Sequence, residues 1–309
     1  MNDLDLKILD LLNENKNIRQ IATIVNLSEK QVYIRLKTLI NYGYQIKPFY
    51  SYNSDIYYKV LNNINQNNNR VNISISKNEE LFRCIVISDM HIGHIKSNIR
   101  LMDSVYEYAV KNNINIIFNC GDNLEGDYTS DKKSLKDIYS QIEEFIKKYP
   151  YDRSIKNFMI FGNHDYHLLT NNGLDVSKKI SSSRYDLISL GFGQGIVNLK
   201  HDNLVLFHKL NSTYKINTNF PYKIVLSGHG HMMKSKIYDK LILCVPTLSY
   251  KSTFTPEEVL PGFIDLTLYF DKGKFDYVVA KNMTLTPDIY RTSEFRCRIK
   301  RLLKNNYDK

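Results

Sequence analysis

Paired cysteines are missing from this chain. Its four thiols, Cys84, Cys120, Cys244 and Cys297, stand scattered, so no disulfide framework is implied and a reducing compartment is expected. Long apolar runs are missing as well. No stretch approaches the roughly eighteen residues of a spanning helix. The opening Met1-Asn-Asp-Leu-Asp-Leu-Lys7 lacks a basic segment ahead of an apolar one, so the reading is a soluble cytoplasmic protein. Charge balance is lacking too. A formal net charge of +10 suits a polyanionic partner such as nucleic acid or an anionic surface. The abundance of Lys, Asn, Ile and Tyr together is the composition of AT-rich coding sequence, and part of that excess fits codon bias. A length of 309 residues leaves room for one large core and one small domain.

What the sequence does contain is a series of five apolar segments, each stopping at a metal-ligand residue type. Cys84–Ile87 leads to Asp89-Met90-His91, and Ile114–Phe118 to Gly121-Asp122. Asn157–Phe161 leads to Gly162-Asn163-His164-Asp165, Leu204–Phe207 to His208, and Lys223–Leu226 to Gly228-His229-Gly230-His231. The β-branched and aliphatic runs read as buried strands. Ligand sites of open α/β sheets lie outside the carboxyl ends of strands, so the five ends should meet at one rim. A lone Asp-x-His or Gly-Asp is commonly a turn, whereas all five in order, each behind a strand, are not. His208 carries only the strand before it as a signature; His201 precedes that strand and belongs at the opposite end of the sheet.

The donors are carboxylates, imidazoles and an amide, with no thiolate, which points to divalent ions such as Mn, Fe or Zn rather than a finger-type zinc. Two carboxylates and four histidines exceed the needs of one ion, while two ions sharing one carboxylate would use them all. Such two-metal sites clamp the attacking and leaving oxygens of an in-line phosphoryl displacement.

At these residues, roughly Leu81 to Phe270, the chain resembles the calcineurin-like metallophosphoesterases, a family of dinuclear phosphatases, phosphodiesterases and nucleases. The resemblance implies Asp89, His91 and His231 as ligands of one metal, Asn163, His208 and His229 as ligands of the second, and Asp122 as the bridge. It implies His164 as general acid, with Asp165 behind it to orient or charge the imidazole. His94 and His167 would face the phosphate or leaving group, or be solvated loop histidines. Asn123 would contact substrate or be a plain loop residue, and Glu125 and Tyr166 belong to the same rim. The implied fold is α/β, with metallophosphoesterase-type stacked mixed β-sheets flanked by helices. Leu101, Val105, Tyr108 and Ala109 would face the sheet from one helix, and Leu135, Ile138, Ile142 and Phe145 from another. Leu241–Val245 and Phe263–Phe270 would complete the second sheet.

The amino-terminal segment has three helical faces: Leu4, Ile8, Leu11, Leu12; Ile18, Ile21, Ala22, Val25; and Val32, Leu36, Leu39. Ser28 with Gln31 makes a capping box, and Gly43 sits at a C-terminal cap position. The pattern resembles a helix-turn-helix, and the following 45–50 and 55–60 read as a hairpin, which would make a winged helix. Lys30, Tyr33 and Lys37 would point outward from the third helix toward DNA. Modules of this type also serve for protein docking, and the local charge is almost balanced. The Asn-rich 61–70 reads as a flexible linker, and Val71–Ser76 as a strand of either neighbour. Ser293, Phe295, Ile299, Leu302 and Leu303, with interspersed Arg and Lys, read as an amphipathic basic helix that offers cations to a polyanion or is simply a solvated face. The expected domains are therefore a winged helix over 1–60, a linker over 61–70, the enzyme over 71–285 and a basic C-terminal helix over 286–309.

The expected activity is dinuclear, Mn-favoured phosphodiester hydrolysis of nucleic acid, DNA in particular, by in-line attack of metal-bound hydroxide. The alternatives are a phosphomonoesterase of nucleotides or phosphoproteins docked by its helix-turn-helix, and a non-enzymatic DNA-bound regulator. Complete ligands and a present general acid count against the regulator.

Overall fold

The computed structural model describes residues 3–14, 16–41, 46–50, 56–60, 69–76, 78–127, 137–216, 222–251, 259–286 and 289–299. Gly43, Leu135, Leu302, Leu303 and residues 61–68 of the expected linker lie outside the described residues. The chain forms a small unit, Met1–Asn68 together with Ser212–Tyr214, and a large one, Asn69–Asn211 together with Lys215–Lys309.

The small unit contains α1 (Asp3–Asn13), α2 (Ile18–Val25), α3 (Glu29–Asn41) and an antiparallel pair, β1 (Ile46–Tyr50) and β2 (Ile56–Val60). The three apolar faces meet: Ile8, Leu12, Ile21, Val32, Leu36 and Leu39 are all buried in one cluster. Two capping boxes set the helix starts. The Ser28–Gln31 box forms as expected, with bonds of 2.8 and 3.2 Å. A second box, between Asn17 and Gln20, opens α2. Asn26 ends α2 in the left-handed conformation at φ 53°, which an Asn side chain tolerates.

The large unit runs β3 (Arg70–Ile73), β4 (Leu81–Ile87), α4 (Leu101–Lys111), β5 (Ile116–Cys120), α5 (Ile138–Lys148), β6 (Lys156–Phe161), α6 (Asn163–Asn172), α7 (Val176–Ser183), β7 (Leu187–Phe192), β8 (Gln194–Leu199), β9 (Asp202–Phe207), β10 (Ile224–Ser227), β11 (Lys234–Ile237), β12 (Leu241–Cys244), β13 (Gly262–Asp271), β14 (Lys274–Leu285) and β15 (Ile289–Arg298). A seven-stranded sheet has the order β15-β14-β13-β4-β5-β6-β7, and a six-stranded sheet the order β11-β12-β10-β9-β8-β3. Strands β4 to β7 are parallel neighbours, as the alternation of strands and helices requires, whereas β13 to β15 are antiparallel additions.

The two sheets share one apolar core. Val86, Phe118 and Ile160 from the first sheet meet Leu206, Leu226 and Leu243 from the second. The opposite face of the seven-stranded sheet, with Ile85, Ile117 and Met159, is covered by Met102, Val105 and Ala109 of α4 and by Ile142 and Phe145 of α5. Hydrophobic burial on both faces explains why these strands are almost continuously apolar.

Two expectations need correction, and one open placement is resolved. Phe263–Phe270 lies in β13 and pairs with β4 of the first sheet, so only Leu241–Cys244 joins the second. Val71–Ser76 contributes β3, which pairs with β8 and so belongs to the large unit. Residues 289–298 form a strand on β14, not the start of a basic helix. Here a period of two won over a period of 3.6: Phe295, Cys297 and Ile299 turn inward while Arg296 and Arg298 stay exposed.

An ion pair between β4 and β13 ties these strands side to side. Arg83 Nε and Nη2 donate to the two oxygens of Asp265 at 2.8 and 2.6 Å, and Tyr108 Oη adds a third bond at 2.9 Å. Asp265 is buried, so Arg83→Leu should cost about 3–5 kcal/mol by stranding its carboxylate. The check is the midpoint of urea unfolding; an unmoved midpoint would show that the pair carries no net weight.

Candidate metal centre

The five strand ends converge, three from the first sheet (β4, β5, β6) and two from the second (β9, β10). A strand that delivers a ligand and then leaves sharply needs unusual backbone. Asp89, His91, Asp122, His229 and His231 all have left-handed φ values, between 49° and 72°. Non-glycine residues in that region cost on the order of 1 kcal/mol or more each, so strain concentrates at this rim. Close approach is equally demanding. A Cβ on Gly162 would lie 2.2 Å from Asp122 Oδ1 and 2.7 Å from its amide nitrogen. One on Gly228 would lie 2.6 Å from both Cys120 O and His208 Nδ1.

The donor atoms fall into neighbouring groups. Asp89, His91 and His231 form one; Asp122, His208 and His229 form another; His91, Asp122 and His164 form a third between them. Within each group the atoms lie inside 4.8 Å of one another. Asn163 joins the second, its Oδ1 lying 3.2 Å from His208 Nε2 and 3.0 Å from His229 Nδ1. Asp122 Oδ2 faces both sides, 3.2 Å from His208 Nε2 and 3.9 Å from His91 Nε2, while its Oδ1 accepts the His164 amide at 2.9 Å.

Main-chain carbonyls set the imidazole tautomers. His208 Nδ1 donates to Cys120 O at 2.6 Å and His231 Nδ1 to Lys251 O at 2.7 Å, which leaves each Nε2 aimed at the carboxylates. His91 Nε2 and His231 Nε2 then face one another at 3.2 Å. Two imidazole lone pairs directed at one point repel unless a proton or a cation lies between them, so this donor set fits a divalent ion.

The electrostatics show the same conflict. Burial pushes Asp89 and Asp122 upward, but the surrounding imidazoles outweigh it and hold both carboxylates below their usual range. Burial lowers His208, yet Asp122 and Asp89 carry it up to about 9. His231 is likewise raised against burial by Asp89. Burial and then the Lys251 cation push His91 well down, keeping it neutral.

Other expected residues have different surroundings. His164 lies at the rim on α6, its Nδ1 2.7 Å from Glu125 O and its ring edge-on to His91 with centroids 4.6 Å apart. Asp165 does not supply that orientation through a bond to the ring. Its carboxylate accepts the amides of Asn123, Leu124 and Gly162, each at 3.0 Å, and so staples the loop after β5 to the start of α6. Burial and the Asp122 charge push it up to about 7. Asn123 is also turned inward, fully buried and bonded to Asn119, Ile160 O and Asp165, so the expected substrate contact is not made by this side chain. His94 is buried with its Nδ1 accepting the Lys96 amide at 3.0 Å, and His167 lies one turn beyond His164 on α6.

Two residues escaped the sequence reading. Thr247 Oγ1 donates to Asp89 O at 2.7 Å, and Lys251 Nζ donates to Glu125 Oε1 and Oε2 at 3.0 and 2.8 Å. Neither sits in a ligand motif, and only the return of the chain after β12 reveals them.

Carboxylates and imidazoles arranged in this way, on sheets stacked in this way, define a metal-dependent phosphoric ester hydrolase. The sequence profile of the calcineurin-like phosphoesterase superfamily domain matches residues 82–247, more than half of the chain, and the protein belongs to that superfamily. No curated protein matches the sequence. Among solved structures, Vps29 of Chaetomium thermophilum is 11% identical with a TM-score of 0.42, over 70% of this chain and 98% of that one. YfcE, a phosphoesterase from E. coli, is 14% identical at 0.40, over 69% and 98%. The Pseudomonas putida nuclease MPE is 14% identical at 0.33, over 75% and 98%.

Gly162→Ala should weaken binding of a divalent metal ion in titration calorimetry, because the added methyl displaces Asp122. Unaltered affinity would mean that the close approach of the strand ends is dispensable.

Proposed function

We propose that the protein hydrolyses phosphodiester bonds in nucleic acid. Asp89, His91 and His231 would hold one divalent ion, Asn163, His208 and His229 a second, and Asp122 both. The observation that carries this reading is the position of Asp122 Oδ2, within reach of imidazoles from either group. When bound, such ions lower the pKa of a water and polarise phosphoryl oxygens, with Mn favoured and Fe or Zn compatible with the same donors.

The chain's own contribution is proton transfer and exclusion of water. With Nδ1 set 2.7 Å from the Glu125 carbonyl, His164 would carry a proton on Nε2 to the leaving oxygen. Asp165 supports this indirectly, by fixing the helix start on which His164 stands. His167 lies next along the same helix and would border the leaving group.

The preference for nucleic acid is supported by the net charge of +10 and by the small unit. Its three helices and hairpin fit a winged helix-turn-helix, with Lys30 and Lys37 exposed on α3 as phosphate contacts. Tyr33 shares their face but packs edge-on against Tyr58 of the hairpin, centroids 5.8 Å apart, which limits its entry into a groove.

The test is Mn-dependent hydrolysis of bis-p-nitrophenyl phosphate, p-nitrophenyl phosphate and DNA, single- and double-stranded. Diester and DNA cleavage is expected; turnover of the monoester alone would move the assignment to a phosphatase. Asp122→Asn should remove activity on every substrate, and an unchanged rate would overturn the shared-carboxylate arrangement. His164→Ala should slow substrates with strongly basic leaving groups far more than activated aryl esters, which need little protonation. Equal losses on both would dismiss the general-acid role.

A further inference from the structure

The helices leave part of the seven-stranded sheet uncovered. Phe263, Met283 and Leu285 lie in the cluster beneath α4 and α5, and Tyr108 of α4 reaches Asp265. Beyond Asp265 the same face of β4, β13, β14 and β15 carries two rows of side chains set by strand register. One row runs Leu81, Tyr269, Tyr277, Arg298, and the next Arg83, Thr267, Val279, Arg296. Their neighbours one position away, among them Phe82, Leu268, Val278 and Cys297, turn into the core between the sheets, so alternation sends both rows outward.

These rows differ from an ordinary solvated face, whose outward positions are polar. Leu81 is 49% exposed and Tyr269 38%. Tyr269 and Tyr277 stand side by side, centroids 6.0 Å apart, with their rings tilted at 56°. Grouped exposed rings mark an interaction surface. Cations border them. Arg296 and Arg298 are exposed on the edge strand, and Lys281 is half-buried on β14. The acids are already engaged: Asp265 holds Arg83, while Glu294 accepts from Arg291 Nη1 at 2.6 Å and from Arg296 Nε. Arg298 and Lys281 form no ion pair among the described residues, so the face is positive.

Aromatic faces beside unpaired cations suit unstacked bases and the phosphates that join them. Other occupants fit worse. Residues 300–309 carry Lys300, Arg301, Lys304 and Lys309 against Asp308 alone, and a second copy would bring the same arginines, so both are repelled. A duplex keeps its base faces stacked, out of reach of the rings. We infer that the open face of β4, β13, β14 and β15 is a binding platform for single-stranded DNA, on which Tyr269 and Tyr277 stack bases and Arg296 and Arg298 hold phosphates. The platform stands at the entering end of β4, roughly 25 Å from Asp89 by strand rise, so it anchors a chain whose scissile bond lies elsewhere. The inference rests on the nucleic-acid reading of the metal centre and deepens it by naming the form of strand that the large unit grips.

The test uses the full chain without metal, so that nothing is cleaved. It follows the fluorescence anisotropy of a labelled oligothymidylate of about 12 nucleotides, within the site sizes of such platforms. Binding is expected, with Tyr269→Ala and Tyr277→Ala each weakening it about tenfold or more, while Tyr269→Phe and Tyr277→Phe stay near the unmodified chain. Arg298→Ser should lower the slope of log affinity against log salt by about 0.7, and this readout remains if a tyrosine variant fails to fold. Each variant is also titrated with a DNA duplex, the partner proposed for α3, whose affinity should not move. Equal losses on duplex and single strand, alanine variants that bind as the unmodified chain does, or an unchanged salt slope would overturn the inference. With Mn added, cleavage of the oligonucleotide despite unchanged binding by the alanine variants would sink the platform and leave the nuclease standing. Binding through the tyrosines without cleavage of any DNA would support the platform and overturn the nuclease.

Discussion

The near-contact of strand ends from two different sheets governs everything else in the large unit. Gly121 and Gly162 follow neighbouring strands of one sheet, Gly228 follows a strand of the other, and each would drive a Cβ into atoms of the opposite segment. The apolar core between the sheets holds that approach. It is also what sustains five side chains on left-handed backbone, since isolated turns of these residues would relax to ordinary conformations. Strain at the rim is thus balanced by burial beneath it.

The same convergence creates an electrostatic problem. Asp89 and Asp122 are buried, and their ionisable partners among the described residues are imidazoles. Buried carboxylates demand compensation, and here it comes from rings that include His208 and His231, whose second nitrogens are already committed to carbonyls. Such rings respond to cations or protons in the pocket and to little else, which is why the chemistry of this site follows from its hydrogen bonds as much as from its ligands.

Much of this was legible before any coordinates. The convergence of the five motifs could be read because each strand ends where its candidate ligand begins, so linear position encodes spatial position. The general placement of His164, and of His201 away from the site, followed from the same rule. The failures have a common cause: they depended on contacts between distant segments. Asp165 looks like a partner of the adjacent histidine, but a capping carboxylate at a helix start finds amides first, and three are within reach. Asn123 was judged by its neighbours in sequence although its partners Asn119 and Asp165 fold over it. The last strand hid because Phe295 and Ile299 satisfy a helical spacing as well as an alternating one, and antiparallel pairing with β14 decided between them. Lys251 carried no local signal at all.

That dependence on distant contacts has a kinetic side. His91 and Lys251 meet across 160 residues of chain, and Asp89 and His229 across 140. Closing loops of that length is an entropic barrier, and topologies dominated by such contacts fold slowly. During synthesis the seven-stranded sheet can gather its parallel strands early, yet the pocket has no second wall until β9, β10 and the segment reaching Lys251 have emerged. A ribosome-bound chain therefore displays Asp89, His91 and Asp122 as unassembled donors over the stretch of synthesis that separates them from His208, His229 and Lys251.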